Sequence, residues 1–306
     1  MPFVICSSSL VMPAFYTATN IAELCARESV KYGVIGNPIA HSKSPQFQQA
    51  ALDADGHPHR YVRLLAGTEE GDFEQLLTLL AQLGFAGVNV TVPFKKKAKK
   101  LAVCCCELTK LCGAANTLKR CDDGWHAINT DGPGFERAIL EHSGRKLSEL
   151  QVVILGACGG AGSALAAQCV LSKCRSLTLV NRPRPELEAM VAKLAPLYSG
   201  KLNSCHFDTP ELQQAVAQAD LVVNATSLGL REGDSLPLPA EWLQAGQIVY
   251  DIVTHDTPLR QAAATRGCIT DNGVGMLLWQ GVFAYEYWHG SNHLPIEQMR
   301  QALLQA

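Results

Sequence analysis

The sequence predicts an α/β protein of two domains, and three observations carry that prediction. Short apolar runs alternate with helical patterns through the first 130 or so residues, the β–α–β–α order of a mostly parallel sheet. At 152–155 the chain changes character: Val-Val-Ile-Leu is continuously apolar, as expected of a strand buried on both faces, and it runs straight into Gly-Ala-Cys-Gly-Gly-Ala-Gly at 156–162. The length of 306 residues, with 47% apolar and 18% charged, is enough for two cores of ordinary size. The predicted division is 1–131, completed by C-terminal helices in 273–306, and 132–272 for the second, doubly wound unit.

The elements follow in order. Residues 20–30 carry a short helical pattern. The run 32–36 is a strand closed by Gly and Asn-Pro. Pro45 suits the first turn of a helix reaching about Leu52, with Ser44 as its N-cap. Residues 61–65 alternate like a strand, and Phe73, Leu76, Leu77, Leu79, Leu80 and Leu83 have helical spacing. The strand 87–92 is stopped by Pro93, and Lys95 opens the next helix. In the second half a strand at 152–155 precedes an Ala-rich helix to about Leu171. Strands at 176–180, 221–224 and 247–251 and a helix at 185–195 continue the alternation. The apolar segment 275–288 reads as a helix that returns to the first domain.

Composition excludes several function classes. A net charge of −2 gives no electrostatic case for nucleic acid or an anionic membrane. The basic run Lys95, Lys96, Lys97, Lys99 and Lys100 reads as a solvated helix face, Lys95 excepted. Twelve cysteines in a chain this long do not make a disulfide scaffold. Cys104, Cys105 and Cys106 are adjacent, so on a helix their side chains diverge, and no Cys-x-x-Cys pair occurs. No metal is expected, and reduced, mostly buried thiols in a cytoplasmic protein are. The N-terminal stretch has two prolines and no basic region, so it does not read as a signal peptide. No apolar stretch approaches the length of a membrane span.

A strand, a glycine-rich turn and a helix bring backbone N–H groups and a positive helix end against a pyrophosphate, the Rossmann-type arrangement. The strict Gly-x-Gly-x-x-Gly spacing is not met, because Cys158 stands two after Gly156. The next strand ends Asn181-Arg182-Pro183-Arg184 rather than on an acidic residue. Two guanidinium groups there suit a 2′-phosphate and favour NADP over NAD. Asn-Ala-Thr-Ser-Leu-Gly at 224–229 is either a plain strand-end turn or a place where small residues let a nicotinamide approach.

Four motifs in the first 132 residues carry the rest: Gly-Asn-Pro-Ile-Ala-His-Ser-Lys-Ser-Pro (36–45), Gly-Val-Asn-Val-Thr-Val-Pro-Phe-Lys (87–95), Gly-Ala-Ala-Asn-Thr (113–117) and Asn-Thr-Asp-Gly (129–132). They supply small hydroxyls, carboxamides, one lysine and one aspartate at turns and strand ends. That inventory suits a polyhydroxylated acidic small molecule, with lysine and carboxylate left for proton transfer. Asp131 could also cap the helix beginning near Pro133, and the two uses are compatible through different oxygens.

With Asn-Arg (181–182), Asn-Ala-Thr-Ser-Leu-Gly (224–229) and Gly-Met-Leu-Leu-Trp-Gln (275–280), these motifs stand in the order found in shikimate dehydrogenases, and the chain resembles that family from about Lys31 to Leu294. The resemblance implies reversible, NADP-linked reduction of 3-dehydroshikimate to shikimate; the two-domain length favours a free-standing enzyme, monomer or homodimer, over a domain working only inside a larger assembly. It implies that Lys95 and Asp131 are the catalytic pair and that Ser42 and Ser44 bind the substrate carboxylate. Asn89, Thr91, Asn116, Thr130 and Gln280 would hold ring hydroxyls. His41 offers an acid, but its place in a turn before the two serines reads as support for that loop. Gly156, Ala157, Gly159, Gly160, Ala161, Asn181, Arg182, Arg184, Thr226, Ser227 and Gly273 would bind the cofactor.

The match departs in three places. The glycine turn carries one extra residue at Cys158. Pro183 replaces a small hydroxyl residue and removes a backbone donor. The segment 250–258 is short and lacks the tyrosine that often follows Tyr-Asp-x-x; Thr254 or His255 lies nearest. A quinate/shikimate dehydrogenase of broader substrate and NAD(P) use therefore stays open. A non-catalytic shikimate-binding relative stays open too, although it would have no need of the Lys95–Asp131 pair.

Overall fold

The computed structural model describes residues 14–291 and 293–306, so the signal-peptide reading of the N-terminus lies outside the described residues. The first half runs α1 (Ile21–Cys25), β1 (Val30–Gly36), α2 (Ser44–Ala54), β2 (Arg60–Leu65), α3 (Asp72–Gln82), β3 (Gly87–Val90), α4 (Lys95–Leu101), β4 (Cys104–Cys105), α5 (Glu107–Cys112), β5 (Thr117–Cys121) and β6 (Gly124–Ile128). Its six strands form one sheet in the order β2-β1-β3-β5-β6-β4. The pairs β1/β2, β1/β3 and β4/β6 are parallel, whereas β5 runs antiparallel to both β3 and β6. The mostly parallel sheet expected is thus finished by an antiparallel hairpin.

After α6 (Asp131–Ser143) come β7 (Gln151–Leu155), α7 (Gly160–Leu171), β8 (Ser176–Val180), α8 (Pro185–Leu194), β9 (Lys201–Cys205), α9 (Pro210–Gln218), β10 (Leu221–Asn224), β11 (Ile248–Asp251), α10 (Pro258–Thr265), β12 (Ile269–Asn272), α11 (Val274–His289) and α12 (Ile296–Leu304). This second sheet is wholly parallel, ordered β12-β11-β10-β7-β8-β9. The order reverses between β7 and β10, the topological switch point where a doubly wound sheet opens its crevice. The apolar run at the end of β7 is buried as expected of a central parallel strand.

Helix α11 ties the two halves together. It lies on α6 and reaches back to α2 and the first sheet: Trp288 donates through Nε1 to the Leu118 carbonyl at 2.9 Å, and Gln48 donates to the Gly281 carbonyl at 3.0 Å. The close approach depends on small residues. A Cβ at Gly281 would run into the Phe47 ring, and one at Gly134 would come within 2.8 Å of the Gln280 backbone nitrogen. One apolar cluster accordingly runs from Tyr32, Phe47 and Leu52 through Phe135 to Ile154, Leu179 and Tyr250. A second lies under the outer face of the first sheet, and a third under α9 and α10.

Several local expectations are corrected. Ser44 is the first helical residue of α2, not its cap; Lys43 holds that position, and the Ser44 side chain is buried and makes no cap bond. Strand β3 ends at Val90, two residues early, because Thr91 to Phe94 form a turn closed by Phe94 N–H donating to the Thr91 carbonyl at 3.0 Å. Cys104 and Cys105 form an edge strand rather than helix, and Cys106 precedes α5. Of the eleven described cysteines, all unpaired, only Cys169 and Cys174 are buried. Helix α6 begins at Asp131, whose carboxylate makes no cap bond.

Candidate active site

The polar motifs converge because their strands end on one side of the first sheet. Asn89 leaves β3, Asn116 precedes β5, and Thr130 and Asp131 enter α6 after β6. Lys95 opens α4, a position where a cation opposes the helix dipole and is stabilised by a carboxylate close by. Lys95 Nζ donates to Asp131 Oδ2 at 2.6 Å, with the two side chains 17% and 8% exposed. The other oxygen, Asp131 Oδ1, accepts from Asn116 Nδ2 at 2.9 Å, and the Asp131 backbone N–H donates to Asn129 Oδ1 at 2.9 Å. Both carboxylate oxygens are thereby fixed.

Behind this pair lies a buried polar network. Asn116 also donates to Thr130 Oγ1 at 2.9 Å and accepts from the Thr130 N–H at 2.8 Å. Asn89 donates to Thr117 Oγ1 at 3.1 Å and accepts from the Tyr61 hydroxyl at 2.7 Å. Burial pushes the Tyr61 phenol well above its usual range, against a smaller opposing effect of hydrogen bonding to Ser44. Cys112 sits close enough to feel both Asp131 and Lys95, and burial first of all pushes its thiol up to about 11, so it stays protonated. On the other wall, Arg63 donates through Nε and Nη2 to the Ser42 carbonyl at 2.9 and 2.6 Å, holding the serine loop in place.

A cleft of about 430 Å³ opens onto these groups. Ser42, Ser44, Asn89, Thr91, Lys95, Asn116, Asp131 and Gln280 all line it, with His41 at its mouth. Ala161, Ile252, Thr254 and Gly273 close it from the second half. Thr130 is brought to the network but not to the cleft wall; it is buried beneath Asn116. Of the two candidates in the short 250–258 segment, Thr254 faces the cleft, whereas His255 is turned aside through Nε2 to the Gly229 carbonyl at 2.8 Å. Sequence reasoning missed Tyr61, Arg63, Thr117 and Cys112. Only Thr117 lies inside a motif, and the other three carry no local signal.

A second cleft of about 700 Å³ lies at the switch point, lined by Gly156, Gly159, Asn181, Arg182, Arg184, Thr226 and Ser227 among others. Gly156 has φ +81°, and a Cβ there would meet the Ala225 carbonyl at 2.9 Å. A Cβ at Gly162 would strike the Gly156 carbonyl oxygen, so this glycine lets α7 close on β7. Gly160 carries no such constraint, whereas a Cβ at Gly159 would press to 3.3 Å on the Gly156 carbonyl; together they give the first N–H groups of α7 an open approach. The inserted Cys158 is thus absorbed in the turn without losing the two glycines that need to be glycine. Ala157 is buried in the core and offers backbone alone, and Gly273 faces the first cleft, pressed against Ile252. Arg182 and Arg184 are exposed and pair with no carboxylate among the described residues. Backbone donors at the start of a twelve-residue helix, a glycine-only close approach and two free guanidinium groups fit a dinucleotide with a 2′-phosphate.

The chain is similar to known proteins over most of its length. The family model described as shikimate dehydrogenase substrate binding domain matches residues 34–118, and that described as shikimate 5'-dehydrogenase C-terminal domain matches 273–304. A shikimate dehydrogenase (NADP(+)) of Moorella thermoacetica is 35% identical over 276 residues, covering 89% of this chain and 92% of that protein. Shikimate 5-dehydrogenase of Listeria monocytogenes, solved in complex with shikimate and NAD, superposes with a TM-score of 0.81 at 29% identity, covering 90% of this chain and 96% of that one. Quinate dehydrogenase from Corynebacterium glutamicum in complex with NAD also reaches 0.81, at 28% identity, covering 92% of this chain and all of that one (100%).

Proposed function

The chain belongs to the shikimate dehydrogenase family, and from that premise we propose how its own residues run the reaction. It is an NADP-dependent oxidoreductase that interconverts 3-dehydroshikimate and shikimate. Bound at the switch-point cleft, the dinucleotide supplies the hydride in reduction and takes it back in oxidation. Arg182 and Arg184 hold its 2′-phosphate, and the first turn of α7 faces its pyrophosphate.

Ser42 and Ser44 take the ring carboxylate, and Asn89, Thr91, Asn116 and Gln280 orient the hydroxyls. As hydride reaches the carbonyl carbon, Lys95 Nζ donates a proton to the oxygen, and in the reverse direction it removes that proton. Asp131 fixes the ammonium, while Asn116 fixes Asp131. Thr130 acts from beneath, by setting the Asn116 amide. The observation that carries this reading is the Lys95–Asp131 pair at 2.6 Å, in a cleft walled by both halves of the chain. The unpaired thiols support a reducing, cytoplasmic setting, and the small net charge supports a partner set limited to small molecules.

A second reading, broader use of quinate and NAD, is favoured by one observation: Thr254, a small residue, stands on the cleft wall in the short 250–258 segment. Initial rates with shikimate and quinate, each with NADP and NAD, separate the two. Turnover with shikimate and NADP alone, abolished in Lys95→Ala, is the expected result. Comparable rates on quinate or NAD would establish the second reading, and no turnover in any combination would leave a binding protein.

A further inference from the structure

We propose that the β5–β6 hairpin carries a surface site for a thiophilic divalent cation of the Zn²⁺ type, formed by Cys121, Asp123 and His126. One ligand atom from each, the thiol sulfur, a carboxylate oxygen and an imidazole nitrogen, lies within 4.8 Å of the other two. Asp123 Oδ1 and His126 Nε2 are already 2.8 Å apart.

The local fold explains the convergence. β5 ends at Cys121, Asp122 and Asp123 make the turn, and β6 starts at Gly124, whose φ of +146° suits glycine. Lys119 stands opposite His126 in the register, so the period of two puts Cys121, Lys119 and His126 on one face. The parallel edge strand adds Cys104 opposite His126 on that same face, whereas Cys105 packs against the core on the other. Lys119 does not compete with a cation: its ammonium is bonded to the Tyr287 carbonyl at 2.9 Å.

Thiolate, imidazole and carboxylate together select a borderline-soft ion over Mg²⁺ or Ca²⁺, which want oxygen alone. Ligands on a tetrahedral zinc stand roughly 3.3–3.8 Å apart, so the thiol needs to close on the turn by about 1.5 Å at most, while the Asp123–His126 pair opens by about 0.5 Å. On binding, the thiol releases its proton to solvent, and the Nε2 proton that bonds Asp123 is given up while Nδ1 carries the ring proton, so that Nε2 offers its lone pair to the metal and the neutral imidazole changes tautomer. Water completes the fourth position. A search for paired cysteines passes over this site because only one of its three ligands is a cysteine. None of the three lines the substrate cleft, so the cation braces the sheet edge and takes no part in the chemistry.

The test is titration of the reduced, metal-free full-length protein with Co²⁺ as a spectroscopic substitute for Zn²⁺. One equivalent should produce a thiolate-to-cobalt charge-transfer band and intense tetrahedral visible bands that Zn²⁺ then bleaches. Cys121→Ser should abolish the band, and His126→Asn should weaken affinity at least roughly tenfold. Cys105→Ser should leave it intact, and circular dichroism checks that each variant is folded. No stoichiometric band in the wild-type protein, or a band unchanged in either Cys121→Ser or His126→Asn, overturns the proposal.

Discussion

Asp131 accepts from Lys95 through one oxygen and from Asn116 through the other, so its charge and its geometry can be separated by substitution. Asp131→Asn keeps the shape but removes the negative partner of the ammonium. On the proposed mechanism kcat falls about 10²- to 10⁴-fold, the usual worth of a positioned acid–base group, with KM for shikimate changing far less. A matching fall in binding without loss of kcat would move Asp131 from chemistry to substrate holding. Tyr61→Phe probes the layer beneath. It leaves Asn89 Oδ1 without its buried donor, which costs about 1–3 kcal/mol of stability, and it loosens the Asn89 amide, raising KM. Chemical denaturation and steady-state rates on the same sample check both. Most of the polar groups lining the cleft were legible in sequence because they sit in short motifs at strand ends, and Gln280 because it closes a motif on α11. Tyr61 and Arg63 were not, because an alternating strand pattern says only that they face somewhere, and what they face is fixed by segments elsewhere in the chain.

At the scale of elements, α6 and α11 decide how Asp131 and Gln280 meet. Gly134 lies against the backbone of Gln280, so Gly134→Ala must push the helices apart. Overpacking of that kind costs about 1–3 kcal/mol, and here it also displaces a cleft residue, so kcat/KM should fall together with the melting temperature. The far end of α11 carries a pH dependence. His289 stacks on Tyr285 at 4.2 Å, faces His57 at 4.6 Å and Tyr32 at 5.2 Å, and its Nε2 has no hydrogen-bond partner among the described residues. Burial foremost, then His57, with smaller effects of His59 and Lys119 opposed by Asp55, lowers its pKa to about 4. Below the ordinary histidine value near 6.5, the unfolded chain takes up a proton that the folded chain refuses until about pH 4, so stability falls as pH drops through that window. Melting curves from pH 7 to 4 should show this loss, and His289→Phe, which keeps a ring and cannot titrate, should lessen it. The apolar helix α11 was plain in the sequence, as were the buried strands. β9 and α9 were not: Lys-Leu-Asn-Ser-Cys is an exposed edge strand with little apolar content, and its pairing with β8 rests on register alone.

For the molecule as a whole, two sheets might suggest two independent folding units, but the core argues otherwise. Phe135 of α6 packs edge-on to Tyr250 of β11 at a centroid distance of 5.6 Å, and the Tyr250 hydroxyl accepts from the Met276 N–H of α11 at 3.2 Å. The same apolar cluster includes Tyr32 and Phe47 of the first half and Ile154 and Leu179 of the second. A half that unfolded alone would expose that shared surface on its partner, at the price of most of the partner's own stability. The chain should therefore melt in one transition, with calorimetric and van't Hoff enthalpies equal. Shikimate alone, which on the proposed reading touches mainly the first half, should raise that single midpoint, by the equivalent of about 2.7 kcal/mol at a hundredfold excess over its Kd. Two resolved transitions, with shikimate moving only one, would show that the shared cluster does not couple the halves. The cleft between the sheets would then be a joint between separate bodies, and Lys95 and the second-half wall would come together only when both were bridged by ligand.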